Sequence, residues 1–254
     1  MATHPIIVLW SHPRSMSTAT ERIMRERGDM DCAHEPFMYD YYVHRERRVM
    51  PHFDVQEGHP TRYEDIRDML LSRAVTRPVF FKDMAYYVLP QILEDVAFLN
   101  RLTHGFLVRE PVASIASYHR LDPEVTEEEI GLEAQRWLHD GIKAVTGQAA
   151  PVISAEDMRD DPRGVMNALW RAWGLAPADH AFDWQSDVPR DWGQVEGWHG
   201  DVSQATGIRP IEEGERQRQI DKFEAQAATA PQLREYLDHH LPHYQALKSK
   251  KLTA

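Results

Sequence analysis

The chain has 254 residues, 42% apolar and 27% charged, with 29 Lys and Arg against 40 Asp and Glu, a net charge of −11. That length suffices for a buried core, the apolar fraction excludes a disordered chain, and the negative field argues against a general nucleic-acid or anionic-membrane binder while leaving room for a local basic pocket. No run reaches the ~20 apolar residues of a membrane span, the start Met1-Ala2-Thr3-His4-Pro5 lacks a basic signal region, and the single Cys32 excludes an intrachain disulfide or a cysteine-rich zinc site, so a cytoplasmic globular protein is expected.

Short apolar runs alternate with helical patterns, which predicts an α/β fold: a parallel sheet flanked by helices on both faces. Ile6 to Trp10 reads as a strand buried on both sides, followed by a helix from about Ser17 to Arg27 that stops before Gly28. A second strand is expected to end near Ala33-His34, and another at Val79 to Lys82. Pro90 opens a helix with Ile92, Leu93, Val96 and Leu99 on one face, and Gly105 to Arg109 reads as a strand followed by a helix from Pro111 to Tyr118. Thr126 and Glu129 form a capping box that starts one long helix, with Ile130, Ala134, Trp137, Leu138, Ile142 and Val145 facing inward. Pro151 to Ser154 is a further strand, a helix from Pro162 to Trp173 stops at Gly174, and two polar helices, about 212–228 and 231–240, close the chain. With no internal repeat or long linker, residues 1–254 read as one domain with surface insertions at 36–60 and 176–211.

Two strand ends carry chemistry. Ser11-His12-Pro13-Arg14-Ser15-Met16-Ser17-Thr18 joins the first strand to a helix start, where free backbone N–H groups, hydroxyls and a guanidinium together suit a phosphate. It is not a Walker A loop, which disfavours a magnesium–ATP site. The alternative is an N-cap cluster on an exposed turn. Arg109-Glu110-Pro111, with Ser117 two helical turns later, sits at the carboxyl end of its strand, where α/β sheets bind ligands. These residues suit a second phosphate; the alternative is a surface ion pair of Arg109 with Glu110.

In order, these segments resemble the sulfotransferases that use 3′-phosphoadenosine 5′-phosphosulfate (PAPS). His12-Pro13-Arg14-Ser15-Met16-Ser17-Thr18 is similar to their 5′-phosphosulfate loop, and Arg109-Glu110-Pro111 through Ser117-Tyr118 to their 3′-phosphate motif. Val152 to Met158, then Asp161-Pro162 and Trp173-Gly174-Leu175, is similar to their strand, Glu-Asp-Leu, Asp-Pro and Leu-Gly-Leu signature. The resemblance implies a P-loop-like fold and transfer of a sulfonate from PAPS to a hydroxyl or amine of a small molecule, with 3′-phosphoadenosine 5′-phosphate (PAP) released. It implies that Arg14, Ser15, Met16, Ser17 and Thr18 hold the 5′ end and Arg109 and Ser117 the 3′-phosphate, that Trp198 lies beside the donor, and that Lys82 reaches the bridging oxygen. No metal is expected, because arginine, lysine and loop amides supply the positive field.

Three departures stand out. Met16 occupies the usual loop glycine, Met84 replaces the histidine of the animal enzymes two residues after the lysine, and the later Gly-x-x-Gly-x-x-Lys segment is absent. The base must therefore come from elsewhere: Glu35 first, from Ala33-His34-Glu35-Pro36-Phe37, then Asp83, then His199 in Trp198-His199. Glu35 also fits a structural partner of Arg14 or Lys82. Two rival functions remain: a phosphotransferase or nucleotide hydrolase on the same loop, and a non-catalytic nucleotide-binding protein. His239, His240 and His243 read as a solvated helix face without a metal-binding partner, and Arg45, Arg47 and Arg48 as a solvated patch. Trp137, Trp170 and Trp173 read as packing. Phe37, Tyr39, Tyr41, Tyr42 and Phe53 are expected either to line an acceptor pocket, the favoured reading, or to anchor their loop.

Overall fold

The computed structural model describes residues 3–184, 189–199 and 205–253, with the side chain of His199 outside the description. The strands are β1 (Ile6–Ser11), β2 (Asp31–His34), β3 (Val79–Met84), β4 (Leu102–Val108) and β5 (Val152–Ser154). The helices in chain order are α1 (Ser17–Glu26), α2 (Tyr63–Arg73), α3 (Ala85–Val88), α4 (Gln91–Glu94), α5 (Val96–Leu99), α6 (Pro111–Leu121), α7 (Glu127–Ile130), α8 (Leu132–Thr146), α9 (Ala155–Asp160), α10 (Pro162–Ala172), α11 (Glu196–His199), α12 (Glu215–Ala227) and α13 (Gln232–Lys248).

All pairings are parallel, in the order β2-β3-β1-β4-β5. Every β1 residue is buried: Ile6, Val8 and Trp10 join one core, and Ile7 and Leu9 the other. A strand covered on both faces needs no polar alternation, which is why its sequence is continuously apolar. The connection from β1 runs toward β2 on one side of the sheet, and that from β4 toward β5 on the other. A crevice therefore opens between the carboxyl ends of β1 and β4, where such sheets bind ligands.

Two polar bridges hold β4 beneath that crevice. Trp10 Nε1 donates to His104 Nδ1 at 3.1 Å, which leaves His104 Nε2 to donate to the Leu99 carbonyl at 3.0 Å. Gln135 Nε2 donates to the carbonyls of Trp10 and Leu107 at 3.0 and 2.8 Å, tying α8 to both strands. Gly105 is required in β4: a Cβ there would lie 2.4 Å from the ring of Trp173, whose Nε1 donates to the His104 carbonyl.

Several expectations fail at helix boundaries. The long helix from Thr126 is two helices, α7 and α8, because Gly131 adopts φ 79 between them. That break resets the helical phase, so the inward face of α8 is Leu132, Gln135, Leu138, His139 and Ile142, while Trp137 is 55% and Val145 39% exposed. The helix after Pro90 is broken at Asp95, whose side chain caps Phe98 N; Ile92 and Leu99 are buried but Val96 is exposed. Helix α13 runs past its expected end at 240 and through Pro242, because Tyr244 and Leu247 continue its buried face. Trp170 and Trp173 pack as expected.

Candidate active site

The loop from β1 to α1 carries unusual backbone. Among the described residues five non-glycine residues have positive φ, and three of them, Arg14 (φ 61), Met16 (φ 72) and Glu35 (φ 43), line one cavity. Met16 keeps the left-handed conformation a glycine would adopt freely, and its side chain forms part of the cavity wall. Left-handed backbone costs an L-residue about 1–2 kcal/mol, and such strain collects where a surrounding structure imposes it for a site.

The cavity, about 310 Å³, opens over the carboxyl ends of the strands. Arg14, Met16, Ser17 and Thr18 reach it from the first loop, Arg109 from the end of β4, Lys82 from β3 and Glu35 from the end of β2. Arg109 Nη1 donates to the Arg14 carbonyl at 2.7 Å, so the two expected anion sites share one wall. Arg14 Nε donates to Ser117 Oγ at 3.0 Å, and its guanidinium also donates to the Trp198 carbonyl. The Arg109 amide donates to His12 Nε2 at 3.0 Å, so His12 is a neutral ring protonated on Nδ1, and its pKa is pushed down to about 3 by burial and next by Arg109.

The electrostatics favour an anion. Burial, then Arg109 and Arg120, lowers the Arg14 pKa to about 10, and burial lowers that of Arg109. Neither arginine forms an ion pair with a carboxylate among the described residues; their donors go to a hydroxyl and to carbonyls. Two desolvated cations side by side hold a strong positive field in a chain of net charge −11. Ser15 is fully buried and its Oγ has no partner among the described residues, an unmet hydroxyl inside the anion loop. Its side chain is not on the cavity wall, unlike those of Ser17 and Thr18.

Opposite the arginines stands an ion pair. Lys82, 1% exposed, donates from Nζ to Glu35 Oε1 and lies 3.4 Å from Ser17 Oγ. Tyr87 OH donates to Glu35 Oε2 at 3.3 Å. Behind Glu35, His34 Nε2 lies 3.8 Å from Oε1, while His34 Nδ1 meets Glu21 Oε2 at 2.6 Å. Glu21 is itself held by Arg25 and Trp192, and His34 lowers its pKa against the opposing effect of burial.

Other expected residues fall elsewhere. Asp83 is fully buried behind the wall, where its two oxygens accept the Phe37 and Met84 amides at 2.9 and 3.0 Å, so it organises two turns and does not reach the cavity. His199 ends α11, and its side chain lies outside the described residues. Trp198 lines the cavity, packs edge-on against Tyr118 with 5.2 Å between centroids, and donates to the Pro51 carbonyl. Phe37, Tyr39, Tyr41 and Tyr42 anchor the 36–60 insertion in the core, and neither they nor Phe53 touches the cavity. Their large apolar surface is satisfied against Tyr63, Tyr86 and Tyr87. Arg45 and Arg48 are not solvated: Arg45 binds Asp40 and the Tyr87 carbonyl, and Arg48 binds Asp122 and Glu129. His240 is buried, with Nε2 bonded to the Glu127 carbonyl at 2.9 Å, and His239 and His243 face Glu133 of α8.

Sequence reading missed Tyr86, Tyr87, Met50 and Val195 on the cavity wall, where Met84 and Tyr118, both singled out in the sequence, also lie. It also missed Arg159 of α9, held to Glu215 and to the carbonyls of Arg209 and Pro210. The Tyr86-Tyr87 pair lies in α3, separated from the end of β3 by Ala85 alone, and an aromatic pair just past a strand's carboxyl end was the available signal.

The buried rings set a pH dependence. His12 is lowered to about 3, and His104 and His240 to about 4, each chiefly by burial. Below about pH 6.5 the unfolded chain takes up protons that these rings refuse, so stability falls as pH drops from about 6.5 toward 4, at up to about 1.4 kcal/mol per pH unit per ring. Glu215, held at about 2 by Arg159, contributes stability above pH 4.5 that is lost as pH falls through its folded value. Asp83, raised by burial, acts in the opposite sense. Melting temperatures are expected to fall from pH 7 to pH 5; a flat profile would show that these rings accept protons in the fold.

A family model described as a sulfotransferase domain matches residues 6–251. A curated relative, branched-chain-amino-acid aminotransferase-like protein 1 of Arabidopsis thaliana, is 21% identical over 255 residues, covering 99% of this chain; the chain spans 45% of that protein. Among solved structures, the sulfotransferase domain of the Synechococcus PCC 7002 olefin synthase superposes with a TM-score of 0.52 at 17% identity, covering 89% of this chain and 96% of that one. A sulfotransferase from Alicyclobacillus acidocaldarius gives 0.46 at 14% identity, covering 85% and 100%. With a five-stranded parallel sheet and a family match running nearly end to end, the chain belongs to the sulfotransferase domain family.

Proposed function

We propose that this chain transfers a sulfonate from PAPS to a hydroxyl or amine of a small neutral acceptor and releases PAP, with Glu35 as the general base. The observation that carries this reading is the pairing of Arg14 and Arg109, desolvated and with no carboxylate at ion-pair distance among the described residues, in one cavity with the Lys82–Glu35 pair. The hydroxyls of Ser17 and Thr18 on the cavity wall fit the phosphosulfate end of the donor. PAPS supplies an activated sulfonate. Glu35 takes the acceptor proton as the acceptor oxygen or nitrogen bonds to sulfur and the bond from sulfur to the bridging oxygen breaks. Lys82 and Arg14 offset the charge that develops on the departing 5′-phosphate. Arg109 and Ser117 hold the 3′-phosphate, and residues 1–254 act as one catalytic domain.

The acceptor wall is aromatic and thioether-rich, with Tyr86, Tyr87, Tyr118, Met50 and Met84, and Glu35 is its one carboxylate among the described lining residues. That lining suits a flat or apolar alcohol, phenol or amine better than a polyanion. Thermal-shift titration with PAP, PAPS, ATP and GTP, with and without magnesium, tests the donor, since binding raises stability as RT ln(1 + [L]/Kd). PAP is expected to stabilise the chain without magnesium, and single-turnover transfer of labelled sulfonate to a metabolite pool should follow. Indifference to millimolar PAP, or magnesium-dependent stabilisation by ATP alone, would overturn the reading in favour of a phosphotransferase.

A further inference from the structure

We propose that His239, His243 and Glu133 form a binding site for a borderline transition-metal ion such as zinc or nickel, joining α13 to α8. The site is independent of the donor cavity, none of whose lining residues it uses. His239 and His243 stand four residues apart on α13, so one helix turn presents both rings on the same side. Glu133 lies in the first turn of α8 and faces them: its Oε2 is 3.1 Å from His239 Nε2, and its Oε1 is 4.0 Å from His243 Nε2. One ligand atom from each of the three residues lies within 4.8 Å of the others.

Those separations are close to what coordination needs. Ligand atoms bound tetrahedrally at about 2.0–2.2 Å from zinc lie roughly 3.3–3.6 Å apart, and the three ligand atoms already lie within 4.8 Å of one another, so gathering them on one ion takes a shift of roughly 1–1.5 Å. His243 Nδ1 has no hydrogen-bond partner among the described residues, so no hydrogen bond at that atom opposes a small turn of the ring. Two imidazoles and one carboxylate are a donor set for zinc, nickel, cobalt or copper rather than for magnesium or calcium, which prefer oxygen alone.

The surroundings match those of a metal ligand set. Glu133 Oε1 accepts from Trp137 Nε1 at 3.3 Å, and the second nitrogen of His239 is 4.0 Å from Glu127 Oε1, the kind of carboxylate that orients a ligating imidazole from behind. The neighbouring cation Arg136 is drawn toward Asp140, at 3.6 Å. The intervening His240 turns the other way, into the core and onto the Glu127 carbonyl, and so fixes the rotation of α13 that brings its two neighbours to Glu133. This arrangement also explains the exposed Trp137: it packs beside the carboxylate and not in the core. The same turn of α8 follows Gly131, which packs against Tyr86, His12 and Pro13, so a bound ion would stiffen the support of the donor loop.

The test uses the full chain, free of any polyhistidine tag and stripped with a chelator. Isothermal titration with zinc sulfate and with nickel chloride is expected to show one saturable site and a raised melting temperature, with no response to magnesium chloride. His239→Ala, His243→Ala and Glu133→Gln should each weaken zinc binding by at least about tenfold, whereas His4→Ala should leave it unchanged. All three ligands are partly exposed, so these variants fold, and PAP binding in each serves as the check on that. Absence of saturable zinc binding, zinc binding that survives the double variant His239→Ala/His243→Ala, or an equal response to magnesium would overturn the site without touching the sulfotransferase reading.

Discussion

Replacing Glu35 by glutamine is expected to lower the single-turnover transfer rate by about 10²–10⁴-fold while PAP still binds, the range a positioned general base contributes. Glutamine keeps the length of the side chain and an oxygen to accept from Lys82 and Tyr87, but it cannot take a proton. The choice of variant matters because Lys82 is 1% exposed. Both glutamine and alanine leave the buried ammonium without its anion, which typically costs about 3–5 kcal/mol, but glutamine keeps an acceptor oxygen for Lys82 Nζ and the side-chain volume, whereas alanine would add a void and confound chemistry with folding still further. PAP offers an internal control: if the glutamine variant gains the same thermal stabilisation from PAP as the parent chain, the donor site is intact and the loss lies in proton transfer. Asp83→Asn should behave differently, weakening the fold through the Phe37 and Met84 turns without a selective effect on the rate. Parent-like turnover by Glu35→Gln would remove Glu35 from the mechanism and make it a structural partner of Lys82.

Which features were legible in the sequence follows from how local each signal is. Strand β1 is a continuous apolar run up to Ser11, and the apolar stretches Val79–Phe81 of β3 and Phe106–Val108 of β4 mark those strands, since a run buried on both faces announces itself residue by residue. The strand–loop–helix step at Arg14, Ser15, Ser17 and Thr18 is equally legible, because it is a property of adjacent residues, whereas its proposed role toward an anion stands in the sequence beside the alternative of a plain N-cap cluster. The reading failed where a distant partner decided the outcome. Arg48 looks like a surface charge until Asp122 and Glu129 are brought to it from other elements. His239 and His243 look solvated until Glu133 arrives from α8. The tyrosines of the 36–60 insertion and Tyr86-Tyr87 are chemically alike, and only the packing shows that the first group fills the core while the second faces the cavity. Trp137 was misplaced by a single glycine, since Gly131 shifts the helical phase of everything after it. Met16 is the reverse case: the sequence flags it as a departure, and the structure shows a side chain accepting a glycine's backbone geometry.

The second large effect is expected at the arginines. Arg109→Ala should weaken PAP binding by about 2–5 kcal/mol, roughly thirtyfold to several thousandfold, the usual loss when one member of a buried, hydrogen-bonded charge pair is removed. Two roles converge on this residue: its charge faces the cavity, and its Nη1 holds the Arg14 carbonyl at 2.7 Å, so its removal also loosens the left-handed turn at Arg14. The effect on the unliganded chain should be small by comparison. Arg14 and Arg109 are desolvated cations that repel each other, and no carboxylate among the described residues lies at ion-pair distance from either, although Glu156, Glu215 and Glu110 partly offset the charge of Arg109, so the fold bears a cost for holding both. Calorimetry with PAP, paired with melting curves with and without PAP, separates the two effects: the variant should lose most of the ligand-induced stabilisation while its own melting temperature changes little. Arg109→Lys should recover only part of the affinity, because a point charge cannot donate to the Arg14 carbonyl and to a phosphate with the fixed fork of a guanidinium. Ser117→Ala and Arg14→Ala should combine less than additively, since Arg14 Nε already donates to Ser117 Oγ at 3.0 Å and the two act on the donor as a unit. If Arg109→Ala binds PAP as tightly as the parent chain, the cation at the end of β4 does not hold the donor, and the phosphate must be sought nearer Arg159 and Arg209, which line the same cavity.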